Sequence, residues 1–148
     1  MKIVKYILAL LHFLIATGAV VGGLAAIMNP QMPLGTSTEL LANSPFTDYF
    51  IPGLFLFFVI GMGNLTSIVL IMLKNKYSLH FSGFMSITII MWIVIQCFMI
   101  QMIIFVHILF FCLGIVMGIM ALFLMIKDRN FPFDRIFQKK RDIVTLMK

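Results

Sequence analysis

FSGFMSITIIMWIVIQCFMIQMIIFVHILFFCLGIVMGIMALFLMI, residues 81–126, contains no Asp, Glu, Lys or Arg across 46 positions. As one helix rising about 1.5 Å per residue it would be roughly 69 Å long, more than twice the ~30 Å hydrocarbon core of a bilayer. The stretch must therefore double back as two spans, 81–102 and 105–126, around a tight turn bracketed by Gln101 and His107. Upstream, 6–28 and 49–73 are two more runs of membrane-crossing length. The reading is an all-α membrane protein: a four-span transmembrane helical bundle over 1–126, with a short structured outer loop over 29–48. A basic amphipathic cytoplasmic tail, 127–148, follows it.

The remaining composition agrees. Of the 148 residues 62% are hydrophobic and 11% charged, against about 25% charged in a soluble domain. A mean hydropathy of +1.12 leaves too little polar surface to cover a water-exposed fold, which excludes a soluble enzyme, a disordered chain and a disulfide scaffold. The first run is also longer than the 7–15 residues of a signal-peptide core, so it reads as a retained span.

Charge placement orients the bundle. With four spans, Lys2 and Lys5, Lys74 and Lys76, and the seven basic residues from Lys127 onward fall on one side, while the 29–48 loop has only Glu39 and Asp48. The positive-inside rule then predicts both termini cytoplasmic. In the tail, Phe133, Ile136, Phe137, Ile143, Val144 and Met147 recur at helical spacing beside Arg135, Lys139, Lys140 and Arg141. This pattern predicts an in-plane helix whose basic residues bind the headgroups of an anionic inner leaflet, each contributing about 1 kcal/mol. The basic set is small and tethered to lipid, so no nucleic-acid partner is expected.

Intramembrane polar groups are costly unless partnered, which makes them the site candidates. His12 lies about 9 Å into the first span and Asn64 about 13 Å into the second, counted from the basic side. The two depths allow a hydrogen bond, whether as a register lock or as a ligand-binding or proton-responsive pair. Gln96 lies nearer the outer side. Thr66 and Ser67 are expected to bond back to their own helix, and Gln101 and His107 to headgroups or turn backbone. The three histidines differ too much in depth to share a metal, and no cofactor or metal site is expected. Cys97 and Cys112 fall at comparable depth without a Cys-x-x-Cys motif, and read as small apolar fillers. Gly18, Gly22 and Ala26, Gly61 and Gly63, and Gly114 and Gly118 form small-residue stripes for close helix packing.

In the outer loop, Thr36-Ser37-Thr38-Glu39 has capping-box spacing and predicts a short helix containing Leu40 and Leu41. Ser44-Pro45 predicts a second helix start, and Pro52-Gly53 a break at the beginning of the second span.

The stretch Pro45-Phe46-Thr47-Asp48-Tyr49-Phe50-Ile51-Pro52-Gly53, with Gly22-Gly23 before Pro30 and a later Gly61, resembles a group of small bacterial four-helix membrane proteins. Trp92 to Gln96 and Leu113-Gly114 also fall where that group has them, and the overall plan is similar to the DoxX-like proteins. Asn29 stands where the group has an acidic residue before Pro30. The resemblance implies a bacterial source and a compact outer loop in which Pro45, Phe46, Asp48, Tyr49, Pro52 and Gly53 form the motif. It implies no activity.

Without an intramembrane carboxylate, a nucleophile paired with a base, or a phosphate loop, the sequence favours a non-catalytic accessory, regulatory or binding subunit of the cell envelope. Its partner would be another membrane protein or a second copy of the chain. The alternatives are a small transporter or channel subunit acting as an oligomer, and a membrane enzyme acting on lipid or quinone.

Overall fold

The computed structural model describes residues 2–128, and every regular element in them is helical. Four helices, α1 (Lys2–Met28), α2 (Phe50–Met72), α3 (Ser78–Ile100) and α4 (Phe105–Lys127), are each long and apolar enough to cross a membrane. Two single 3₁₀ turns, Pro33–Gly35 and Thr38–Leu41, lie between α1 and α2. The expected tail helix, with Arg135, Lys139, Lys140 and Arg141, lies outside the described residues.

Each helix runs antiparallel to its neighbours, and the glycines mark the seams. Ala26 meets Gly53 and Gly23 meets Phe57 between α1 and α2; Gly63 meets Met85 between α2 and α3. Gly118 meets Ser86 between α3 and α4, and Gly18 takes the Phe110 ring where α4 returns to α1. The small-residue stripes are thus used for packing within the chain. Two apolar helix surfaces in lipid gain little by meeting unless their backbones approach closely. Lys5 and Asp128 form an ion pair at 2.7 Å that joins the start of α1 to the end of α4. By this arrangement Lys2, Lys5, Lys74, Lys76 and Lys127 gather at one end of the bundle, with the 29–48 loop and the 101–104 turn at the other.

Span two departs from the sequence reading. No helix starts at Pro45: Ser44 instead closes a turn on Phe46, its Oγ accepting the Phe46 N–H at 3.2 Å. The helix starts at Phe50, whose N–H is taken by Asp48 Oδ1 at 2.9 Å. Pro52 consequently falls in the first helical turn, where N–H groups have no intrahelical partner and its missing donor costs nothing. There is no break at Pro52. The irregularity comes one turn later, where Phe55–Gly61 widens into a π-helix before α-helix resumes over Met62–Met72. Phe55 in that segment stacks on Trp92 of α3 at 4.5 Å between ring centroids.

The capping residue in the loop is Ser37 rather than Thr36: its side chain accepts the Glu39 N–H at 3.2 Å, and the helix that follows is one 3₁₀ turn. The α3–α4 turn contains no glycine. Gln101 itself takes the left-handed conformation, φ 54°, ending α3 two residues earlier than the sequence predicts.

Candidate functional site

A polar node lies within the apolar interior of the bundle. His12 of α1, Asn64 of α2 and Ser82 of α3 are all fully buried and joined by short hydrogen bonds. His12 Nδ1 stands 2.6 Å from Asn64 Oδ1, and His12 Nε2 stands 2.6 Å from Ser82 Oγ. Asn64 Nδ2 donates to the Ile60 carbonyl at 2.7 Å.

These contacts set the direction of each bond. The Asn64 amide nitrogen is engaged with Ile60, so its oxygen faces His12 and can only accept. Neutral His12 must then carry its proton on Nδ1, which leaves Nε2 as the acceptor for the Ser82 hydroxyl. One directed chain runs Ser82 to His12 to Asn64 to Ile60, crossing three helices and ending on a carbonyl of the π-helical segment. Burial in an apolar medium makes each of these bonds hard to give up, because no water replaces a lost partner.

Sequence reasoning paired His12 with Asn64 and missed Ser82. The missing signal was available: Ser78, Ser82 and Ser86 recur every four residues on α3, all buried, and mark one polar face. The third predicted residue, Gln96, is not part of the site. It lies 14 residues beyond Ser82, roughly 21 Å along the helix, and is half-buried. Thr66 and Ser67 bond back to Met62 and Gly63 carbonyls as expected. Cys97 and Cys112 are free thiols.

The connectivity Ser Oγ–His Nε2 with His Nδ1–Asn Oδ1 is that of a nucleophile, its base and an orienting amide. Here the hydroxyl is fully buried, with no surface open to the outside of the bundle. What the arrangement does in this state is hold α1, α2 and α3 at one depth.

A second set of contacts seats the 29–48 loop. Tyr49 is buried; its hydroxyl donates to the Ser37 carbonyl at 3.0 Å and its N–H to the Pro30 carbonyl at 3.0 Å. Its ring packs with Leu41, Ala26 and Met99, flanked by half-buried Phe46. Burial raises the Tyr49 phenol above its ordinary value of 10.0. Of the motif residues, Tyr49, Pro52 and Gly53 are buried, Asp48 caps α2, and Pro45 is exposed.

Comparison with protein-family models, with curated proteins and with solved structures gave no match in any of the three. The class is set by the fold: four apolar helices of crossing length, with no strand among the described residues, are the make-up of a multi-pass helical membrane protein.

Proposed function

We propose that the chain is a non-catalytic accessory or binding subunit of a bacterial cytoplasmic membrane, with both termini cytoplasmic and the 29–48 loop presented outside as its contact surface. The observation that supports this is the seating of the loop. Tyr49 ties it to Ser37 and Pro30, and Leu41 and Phe46 pack with Met99 of α3. A connector needs no such anchoring, whereas a preorganised surface binds at lower entropic cost. Orientation rests on the basic residues, and the bacterial assignment on the resemblance of the Pro45–Gly53 motif.

The test is a photo-crosslinking amino acid placed at Leu34, which is 76% exposed, and separately at Asn43, in the full chain in living cells. One discrete protein adduct from both positions is the expected result. Self-adducts alone would move the reading to a homo-oligomer, and lipid adducts alone would overturn it.

A second reading, a membrane enzyme, is favoured by the Ser82–His12–Asn64 connectivity. A fluorophosphonate that reacts with activated serines separates the two. No labelling is expected, since Ser82 is fully buried; labelling lost in Ser82→Ala would reverse the ranking.

A further inference from the structure

Between α3 and α4, at the end of the bundle carrying the 101–104 turn, lies a cavity of about 530 Å³. Its wall runs from buried Ile93 and His107, 5% and 6% exposed, out to Phe98 at 71%, so it is a cleft open on the lipid-facing side of the hairpin. None of its lining residues is charged, and the basic residues of the described chain are at the opposite end.

Depth and polarity identify what fits. α3 has 23 residues, about 34 Å at 1.5 Å per residue, against a hydrocarbon core of about 30 Å. The turn that closes the cleft therefore lies where acyl chains meet the headgroups, the level of the ester carbonyls. At that level the wall carries Gln101, whose Nε2 gives one hydrogen to the Phe98 carbonyl at 2.6 Å. A primary amide has two, and the second is available to an acceptor. His107, the other polar group of the wall, is spent on the turn itself, its Nδ1 accepting the Ile104 N–H at 3.4 Å and its ring bonded to the Met102 backbone, and the deeper walls are apolar. A cleft with one spare donor at the carbonyl level, apolar walls below and no charge for a phosphate matches a single lipid chain better than an apolar protein helix, whose main-chain carbonyls are used within the helix.

We propose that this cleft holds one acyl chain of an ester-linked glycerolipid from the surrounding bilayer, its ester carbonyl accepting from Gln101. Recognition is of the chain and carbonyl, not of the headgroup.

Cys97 lines the same cleft and serves as the reporter. The full chain bearing Cys112→Ser, purified in detergent, is titrated with dioleoyl phosphatidylcholine or dioleoyl phosphatidylglycerol while Cys97 reacts with N-ethylmaleimide. Both lipids are expected to slow the reaction to the same saturating level, with one lipid retained per chain by native mass spectrometry. The diether analogue, lacking the carbonyl, and the Gln101→Met variant should each need about three- to tenfold more lipid, the worth of one hydrogen bond. Ile108→Trp, a substitution at a half-exposed wall position, should abolish both protection and retention. Protection that depends on the headgroup, equal affinity for the diether lipid, or a dimer that shields Cys97 without retained lipid would each overturn the proposal. The diether comparison uses the unaltered cleft, so it stands even if a variant misfolds.

Discussion

At the residue scale, His12 is a bifunctional linker whose two ring nitrogens have different jobs. Nitrogen NMR of the labelled protein should find Nδ1 protonated and Nε2 bare, since Asn64 is turned by Ile60 to accept. The opposite tautomer would break the directed chain from Ser82 to Ile60. Ser82→Ala leaves a buried acceptor unpaired and should destabilise the bundle by about 1–2 kcal/mol in a reversible detergent-unfolding assay. A double-mutant cycle of Ser82→Ala with His12→Leu should return a coupling of about 0.6–1.7 kcal/mol; coupling near zero would show that the contact contributes nothing. Tyr49 adds a pH dependence. Its folded-state value is raised above 10.0 by burial, so its contribution is complete below the unfolded value and is lost as pH climbs through the folded one. Proteolysis of the 29–48 loop should therefore be slow up to about pH 10 and accelerate above it, and Tyr49→Phe should remove that pH step.

At the scale of elements, the seams depend on missing side chains. A Cβ on Gly23 would stand 2.7 Å from the Phe57 backbone nitrogen and 2.9 Å from the Gly53 carbonyl oxygen. Backbone cannot step aside as a side-chain end can, so Gly23→Ala should push α1 off α2 and cost about 1–3 kcal/mol. Gly83 is the internal control: nothing lies within 4 Å of a Cβ there, and Gly83→Ala should be neutral or stabilising by up to about 1 kcal/mol through helix propensity. Thermal unfolding of the two variants side by side checks the contrast. The stripes that mark these seams were legible, because small residues at helical spacing have few other uses in lipid. The π-helical Phe55–Gly61 was not. Its residues are ordinary span residues, and the widening accompanies contacts with Val20, Phe57's approach to Gly23, and Trp92 that belong to other helices. Ser44-Pro45 misled for a related reason: a cap signature states what a local segment favours, and here Asp48 and buried Tyr49 take the helix start instead.

For the whole molecule, the proposed orientation makes a direct prediction. Asn43→Cys should react with a membrane-impermeant maleimide added to intact cells, and Lys76→Cys only after the cells are opened; the reverse pattern would invert the protein. That there are four apolar helices of membrane-crossing length, and roughly where each lies, followed from the sequence, because hydrocarbon thickness imposes a length and charge is excluded along it. The same reasoning ranked His12 and Asn64 as a pair, since depth is readable from position along a helix. Depth is not azimuth, however. Which face of α3 turns inward, and hence that Ser82 rather than Gln96 completes the node, depends on how four nearly uniform apolar helices rotate against one another. A chain of mostly Ile, Leu, Met, Phe and Val carries little pattern to set that rotation. Close glycine contacts and two interhelical hydrogen bonds of His12 set it instead, and those exist only once the helices have met.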